Sequence, residues 1–207
     1  KRILLGRESN LKAVKALGDK GDIDIRNVSA EDDGFHLKQT GQDIVVAGAN
    51  PRGVLYGVYA FEDFVNAAAN DNLDIKKVPY FRKRGSGLYY SHVIFGMQLE
   101  AVPEEKVIYL SRLGINQMTD SGIAGPLAKF VKSDDFPFLP PPDPVFQQRL
   151  KDMSALCKKY GIDTYVCLLE PILAPVSGSF DSYPQEALGK SREGDGAVPT
   201  LCVSSPT

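Results

Sequence analysis

The 207-residue chain has little cysteine, no excess of positive charge and no long apolar run, and each shortage closes off a class of protein. Its three cysteines, Cys157, Cys167 and Cys202, form an odd set without the paired spacing of a metal site. Ordinary free thiols are expected, and no metal. The formal net charge of −2 argues against a nucleic-acid or anionic-membrane binder. No apolar stretch approaches the roughly 20 residues of a membrane-spanning helix. No secretory signal stands at Lys1, and residues 2–5 enter directly into an apolar strand, so the chain is expected to begin inside a domain. Two signatures of chemistry are also missing. The first strand-to-helix loop of the second half lacks a G-x-G-x-x-G phosphate fingerprint, which weakens a nucleotide-binding doubly wound sheet. Ser204-Ser205 has no G-x-S-x-G elbow around it, so it reads as surface rather than nucleophile. No cofactor is expected.

What remains is an ordinary globular composition, long enough for one or two domains with real cores. Residues 43–65, DIVVAGANPRGVLYGVYAFEDFV, organise the first half. Ile44 to Ala47 form an apolar run typical of a strand covered on both faces. Asn50 is a good helix N-cap, and Pro51 suits the first helical position, where its missing N–H costs nothing. Val54, Leu55, Val58, Phe61, Phe64 and Val65 then recur at helical spacing. Gly53 and Gly57 lie four apart on that helix, which predicts close packing against a sheet.

Around this unit the pattern predicts a strand over 2–5 and a helix over 10–17, capped by Ser9 and stopped by Gly18. A weak strand follows over 22–26. Residues 34–39 and 42–48 read as a hairpin across Thr40-Gly41. After a polar linker over 66–72 and a last strand over 74–78, the grammar changes at Pro79. Strands over 85–90, 115–119 and 163–169 alternate with helices over 103–113 and 145–160, which end at Gly114 and Gly161. This is the signature of parallel strands joined by right-handed crossovers. The loops after strands are long and those after helices very short, as in a (β/α)8 barrel that builds its functional face on the C-terminal ends of its strands. A full barrel takes about 250 residues; residues 80–207 are about half of that, so the chain is expected to stop before closure. The fold class is therefore α/β: a small α+β accessory domain over 1–78, then the first part of a (β/α)8 TIM-type barrel over 79–207.

These residues resemble a known arrangement. The hairpin and the segment GANPRGVLYGVYAFEDF, residues 48–64, are similar to the end of the small α/β domain that precedes the barrel in several glycoside hydrolases. Those are the family-20 β-hexosaminidases, the α-glucuronidases and the O-GlcNAc-type hexosaminidases. Gly34-Phe35-His36-Leu37 matches their Gly-Tyr-x-Leu strand, and Ala47-Gly48-Ala49 the strand ending in small residues. Pro79 to Arg84-Gly85 resembles their lead-in to the first barrel strand. Residues 110–116 (LSRLGIN) and 158–163 (KKYGID) resemble a barrel helix running into the next strand. Where the family-20 enzymes carry Leu-Asp-x-x-Arg, this chain has Leu88-Tyr89-Tyr90-Ser91-His92, so the resemblance names no hexosamine substrate.

Sugar hydrolysis usually needs two carboxyl groups flanking the bond. The hexosaminidases resembled here use an Asp-Glu pair after the fourth barrel strand, which this chain is expected not to reach. Glu104-Glu105 and Asp134-Asp135 are adjacent acids with a solvated surface as their default. The catalytic residues therefore stay unassigned. As substrate-binding candidates, Arg84 comes first, because the resemblance implies that the matching arginine contacts sugar hydroxyls; its rigid fork of donors suits that task. The other reading of Arg84 is a structural arginine joining two domains. Tyr90 and His92 alternate on one strand and can share a face, offering an aromatic platform and an imidazole donor, or mere packing. Asp120 and Glu170 end the second and third strands, where barrel enzymes carry functional groups; the other reading of Glu170 is a helix-capping or solvated acid. The expected protein is part of a carbohydrate-active enzyme hydrolysing glycosidic bonds in oligo- or polysaccharides, inactive as this piece alone. The rival is a non-catalytic carbohydrate-binding or interaction module. The expected partner is a carbohydrate, with no nucleic acid and no membrane span. The carbohydrate reading favours a periplasmic or extracellular location, and the oligomeric state is open.

Overall fold

The computed structural model describes residues 2–67, 72–86, 103–120 and 144–166. The chain divides into two compact units: Lys1–Arg84 together with Ile108–Asn116, and Gly85–Val107 together with Gln117–Thr207.

The apolar run at 44–47 makes the central strand of the first unit. β1 (Ile3–Gly6), β2 (Phe35–Thr40), β3 (Asp43–Gly48) and β4 (Asp74–Lys77) form one mixed sheet in the order β1-β3-β2-β4. β3 runs parallel to β1 and antiparallel to β2, and β2 runs antiparallel to β4. Thr40 pairs with Asp43, which leaves a two-residue hairpin loop with Gly41 at φ 59°. Strand side chains alternate between faces. Val45 and Ala47 meet Val14 of α1 (Lys12–Asp19) together with Ile23 and Ile25. Val46 joins Phe35, Leu37, Tyr56 and Leu73 beneath α2 (Pro51–Asn66). Helices thus cover both faces of β3, as its unbroken apolar run predicts.

The start and placement of α2 follow the sequence closely. Asn50 Oδ1 accepts the Gly53 N–H at 2.7 Å, and Pro51 holds the first position. A Cβ on Gly53 would strike the Gly34 carbonyl, and one on Gly57 would strike Val46 Cγ1. The helix therefore lies nearer the sheet than any larger residue at these two places permits.

The first 30 residues depart from expectation. α1 starts at Lys12, and its N-cap residue Leu11 makes no side-chain bond. Ser9 is not the cap. The neighbouring Asn10 instead bends its Oδ1 back to accept the Arg7 N–H at 2.8 Å, closing the turn before the helix. Gly18 lies inside the helix and is buried; the reversal comes at Gly21, with φ 79°. Residues 22–26 bury Ile23 and Ile25 but form no strand, because the Asp24 N–H donates to the His36 side chain (Nδ1, 2.9 Å) rather than to a neighbouring strand.

In the second unit, β5 (Gly85–Ser86), β6 (Gln117–Asp120) and β7 (Asp163–Val166) are parallel, in the order β5-β6-β7. α3 (Glu104–Arg112) links β5 to β6, its residues divided between the two units, and α4 (Pro144–Lys159) links β6 to β7. Gly114 and Gly161, at φ 80° and 72°, turn each helix sharply toward its next strand. Met118, Met153, Cys157 and Ile162 are buried in this unit. Burial pushes the Cys157 thiol up to about 11, in keeping with an inert core thiol. The expected extensions of β5 to residue 90 and β7 to residue 169 lie outside the described residues. Among those described, no helix is long and apolar enough to cross a membrane.

Candidate functional site

The densest polar chemistry in the described residues gathers on Asp33, at the end of the loop before β2. Its side chain is only 2% exposed, yet it carries a charge. Burial alone would raise its pKa, but hydrogen bonds from Asn50, Asn116 and Arg84 and the charge of Arg52 together hold the carboxyl below its ordinary value. Oδ1 accepts from Asn50 Nδ2 at 2.9 Å. Oδ2 accepts from Arg84 Nη2 at 2.6 Å, from Asn116 Nδ2 at 2.8 Å and from Arg52 Nη1 at 3.5 Å. Asn50 and Arg52 open α2, Arg84 immediately precedes β5, and Asn116 immediately precedes β6. Four donors from three distant stretches of chain thus converge on one buried carboxylate.

Arg84 is satisfied in turn. Its Nε donates to the Gly114 carbonyl at 2.5 Å. Nη1 donates to the carbonyls of Phe81 at 2.5 Å and Arg82 at 3.4 Å. Nη2 donates to Asp33 and, at 3.4 Å, to the Tyr56 hydroxyl. A guanidinium has five N–H donors, and each is directed at a protein acceptor. A sugar hydroxyl would reach Arg84 only by replacing one of these bonds, the two at 3.4 Å being the weakest. Tyr56 lies beneath the guanidinium, its ring centroid 5.7 Å from Cζ, and burial raises its hydroxyl pKa despite the nearby Arg84.

Above this node lies a cleft of about 680 Å³ within the first unit. Tyr59, Asp63 and Phe64 of α2 form one wall, Ile75 and Lys77 of β4 another, and Arg112 a third. Arg112 sits over the Tyr59 ring at 4.6 Å and pairs with Glu62 and Asp63, so its charge is already answered.

Of the five residues expected to bind substrate, only the Arg84 side chain is described. Asp120 is the last residue of β6, paired in register with Val166, and its side chain lies outside the described residues. Tyr90, His92 and Glu170 also lie outside them, as do Asp134-Asp135 and Ser204-Ser205. The described residues bring no two of the five together. Glu104 bonds Lys159 Nζ at 2.7 Å and the Tyr160 hydroxyl at 2.5 Å, which lowers its pKa and makes it a tie from α3 to the end of α4.

The node itself was not expected. Asp33 sits in a run of acids, SAEDDG, with no motif to mark it. Asn116 was visible only as the last letter of LGIN.

No family model matches the chain. Solved structures do. The chain is similar to the Flavobacterium johnsoniae chitobiase of family GH20, with a TM-score of 0.52 and 20% identity, covering 82% of this chain and 27% of that one. It is also similar to a GH138 enzyme targeting pectin rhamnogalacturonan II, with a TM-score of 0.50 and 14% identity, covering 80% of this chain and 24% of that one. The chain spans about a quarter of the length of each. At such identities the likeness is one of fold, and the fold is glycoside-hydrolase-like.

Proposed function

We propose that this chain is part of a glycoside hydrolase: a small accessory α/β domain over 1–78 followed, over 79–207, by the opening strands of a (β/α)8 barrel. The parent protein hydrolyses glycosidic bonds in oligo- or polysaccharides. The parallel β5-β6-β7 sheet carries this reading, with a helix between successive strands and a sharp glycine return after each helix. A barrel of this kind works at the C-terminal ends of its strands. Asp120 ends β6, Tyr90 and His92 follow β5 in the chain, and Glu170 follows β7; these four are the residues proposed to line a carbohydrate site. Arg84 precedes β5 and so belongs to the opposite, N-terminal end of that strand. No acid and nucleophile are assigned among the four; glycosidases hold such a pair about 5–5.5 Å apart for retention or 6.5–9.5 Å for inversion.

The test is a panel of aryl β-hexosaminides, α-glucuronides and α-galacturonides, given in parallel to the 207-residue chain and to the complete gene product. Hydrolysis by the gene product and none by the chain alone is the expected result. Turnover by the chain itself would show that an acid/base pair is already present. Oligosaccharide binding with no turnover by either protein would replace the hydrolase with a carbohydrate-binding module.

A further inference from the structure

We infer that the buried Asp33 carboxylate locks residues 79–84 and 108–116 into one cooperative folding unit with α2 and β3, and that Arg84 is a positioning residue of this lock. Read from sequence, the accessory domain ends at residue 78 and Pro79 opens a new one. The hydrogen bonds cross that boundary. Without Arg84 and Asn116, Asp33 Oδ2 would keep only Arg52 at 3.5 Å. A buried charge stripped of its partners is strongly destabilising, so the accessory sheet cannot release these segments freely. The segments are also tied to each other. The Arg84 N–H donates to Asn116 Oδ1 at 2.8 Å, and the Asn116 N–H donates back to the Arg84 carbonyl at 3.0 Å. Asn116 Nδ2 further donates to the Arg82 carbonyl at 2.6 Å. One asparagine thus fixes the peptide groups on both sides of Lys83 and Arg84 while holding Asp33. The Tyr56 hydroxyl reaches the Ile115 carbonyl at 3.5 Å and adds α2 to the same set.

The lock also has a meaning within the hydrolase reading, on which this part of the inference rests. Gly85 and Gln117 are the register pair that begins β5 and β6. Arg84 and Asn116 stand one residue ahead of them, at the ends of the strands where barrels place residues for stability rather than chemistry. Within the first unit, the Asp33 carboxylate thus holds the chain up to the residues that immediately precede β5 and β6.

Native-state hydrogen exchange on the whole chain, followed by mass spectrometry through a urea series, tests this without any substitution. The expected result is that the amides of residues 84 and 114–116 exchange through the same opening as those of α2 and β3. Asp33→Asn and Asn116→Ala should each speed exchange at least tenfold in residues 79–84, 108–116 and α2 together. Arg84→Met should do the same. Separate, faster opening of 79–84 and 108–116 in the unaltered chain would overturn the inference. So would an Arg84→Met chain whose exchange is unchanged. Neither result depends on glycosidase activity, so failure here and failure of the hydrolase reading are told apart.

Discussion

Asn50→Asp separates the two roles that one side chain combines. As an N-cap, Asn50 accepts the Gly53 N–H at 2.7 Å, and aspartate is an equally good cap. On capping grounds alone the substitution is nearly neutral. The amide nitrogen, however, donates to Asp33 Oδ1 at 2.9 Å and to the Ala30 and Asp32 carbonyls at 3.1 and 3.3 Å. Losing a hydrogen bond to a buried carboxylate costs about 1.5–3 kcal/mol. Two carboxylates about 4 Å apart then repel by roughly 4 kcal/mol at an effective dielectric near 20. Protonating a carboxyl of ordinary pKa at pH 8 costs about 5 kcal/mol, which caps the expected loss near that figure, a large share of the 5–15 kcal/mol typical of a domain. The pH dependence has a definite sign. In the native protein the Asp33 pKa is depressed, so its contribution is fully present above the unfolded value near 4 and is lost as pH falls through the folded one. In the variant, the carboxyl pair must hold a proton more tightly than the unfolded chain does. Its stability therefore recovers as pH falls from 8 toward 5, while the native protein gains nothing over that range from Asp33. Urea unfolding followed by far-ultraviolet circular dichroism at pH 8 and pH 5 measures both effects. A variant within about 0.5 kcal/mol of the native chain at pH 8, the scale of a neutral surface change, would refute the reasoning. So would a deficit that does not shrink at pH 5.

Further outcomes follow from the packing. Gly57→Ala places a Cβ against Val46 Cγ1 and the Phe35 ring, and the overpacking cost of about 1–3 kcal/mol should exceed the helix-propensity gain of about 1 kcal/mol; a raised melting temperature would show that α2 is not held close to the sheet. Leu37→Ala empties a fully buried site in β2 and should cost about 2–5 kcal/mol in the same urea assay, against little change if that core collapses around it. Cys157, its thiol raised to about 11 by burial, should resist iodoacetamide at pH 8 in the folded chain and react once unfolded, as peptide mapping would reveal; rapid native labelling would contradict the burial of the second unit's core.

The fold was legible where one local signal and one packing requirement coincide. At 44–47 the apolar run states its own environment, since each face of the strand has to be covered. At Asn50-Pro51 the cap chemistry is complete within four residues, so the start of α2 could be read without its surroundings. At residues 22–26 the two requirements part. Alternation correctly marks Ile23 and Ile25 for burial, but burial does not require a ladder of strand hydrogen bonds. The Asp24 N–H finds its acceptor on His36 instead, which also meets Asp74 at 2.7 Å through Nε2. Ser9 fails as a cap for a similar reason. The adjacent Asn10 side chain closes a turn first and moves the helix start onward.

The candidate site was less legible because charge in a sequence implies solvent by default. Asp33 follows Glu31 and Asp32, and nothing within ten residues distinguishes the acid that goes inside from the two that bond Arg82 at the surface. The difference lies in partners 17 to 83 positions away, the span from Asn50 to Asn116. Only the fold assembles them, and without them the residue could not be buried in ionised form. Arg84 was singled out by the resemblance, with two readings open: a donor fork for sugar hydroxyls, or a structural arginine joining two domains. A guanidinium's donors go wherever the geometry supplies acceptors first, and here the carbonyls of Phe81, Arg82 and Gly114, with Asp33 and Tyr56, supply five. What an arginine at the start of a strand does is thus decided by how many acceptors the fold brings to it, here three carbonyls from its own and the following segment and two side chains from the preceding domain. A chain in which Asp33 and Tyr56 were both apolar would leave the same Arg84 with Nη2 donors to spare. That exchange of partners, rather than the arginine itself, separates a structural anchor from a residue open to ligand.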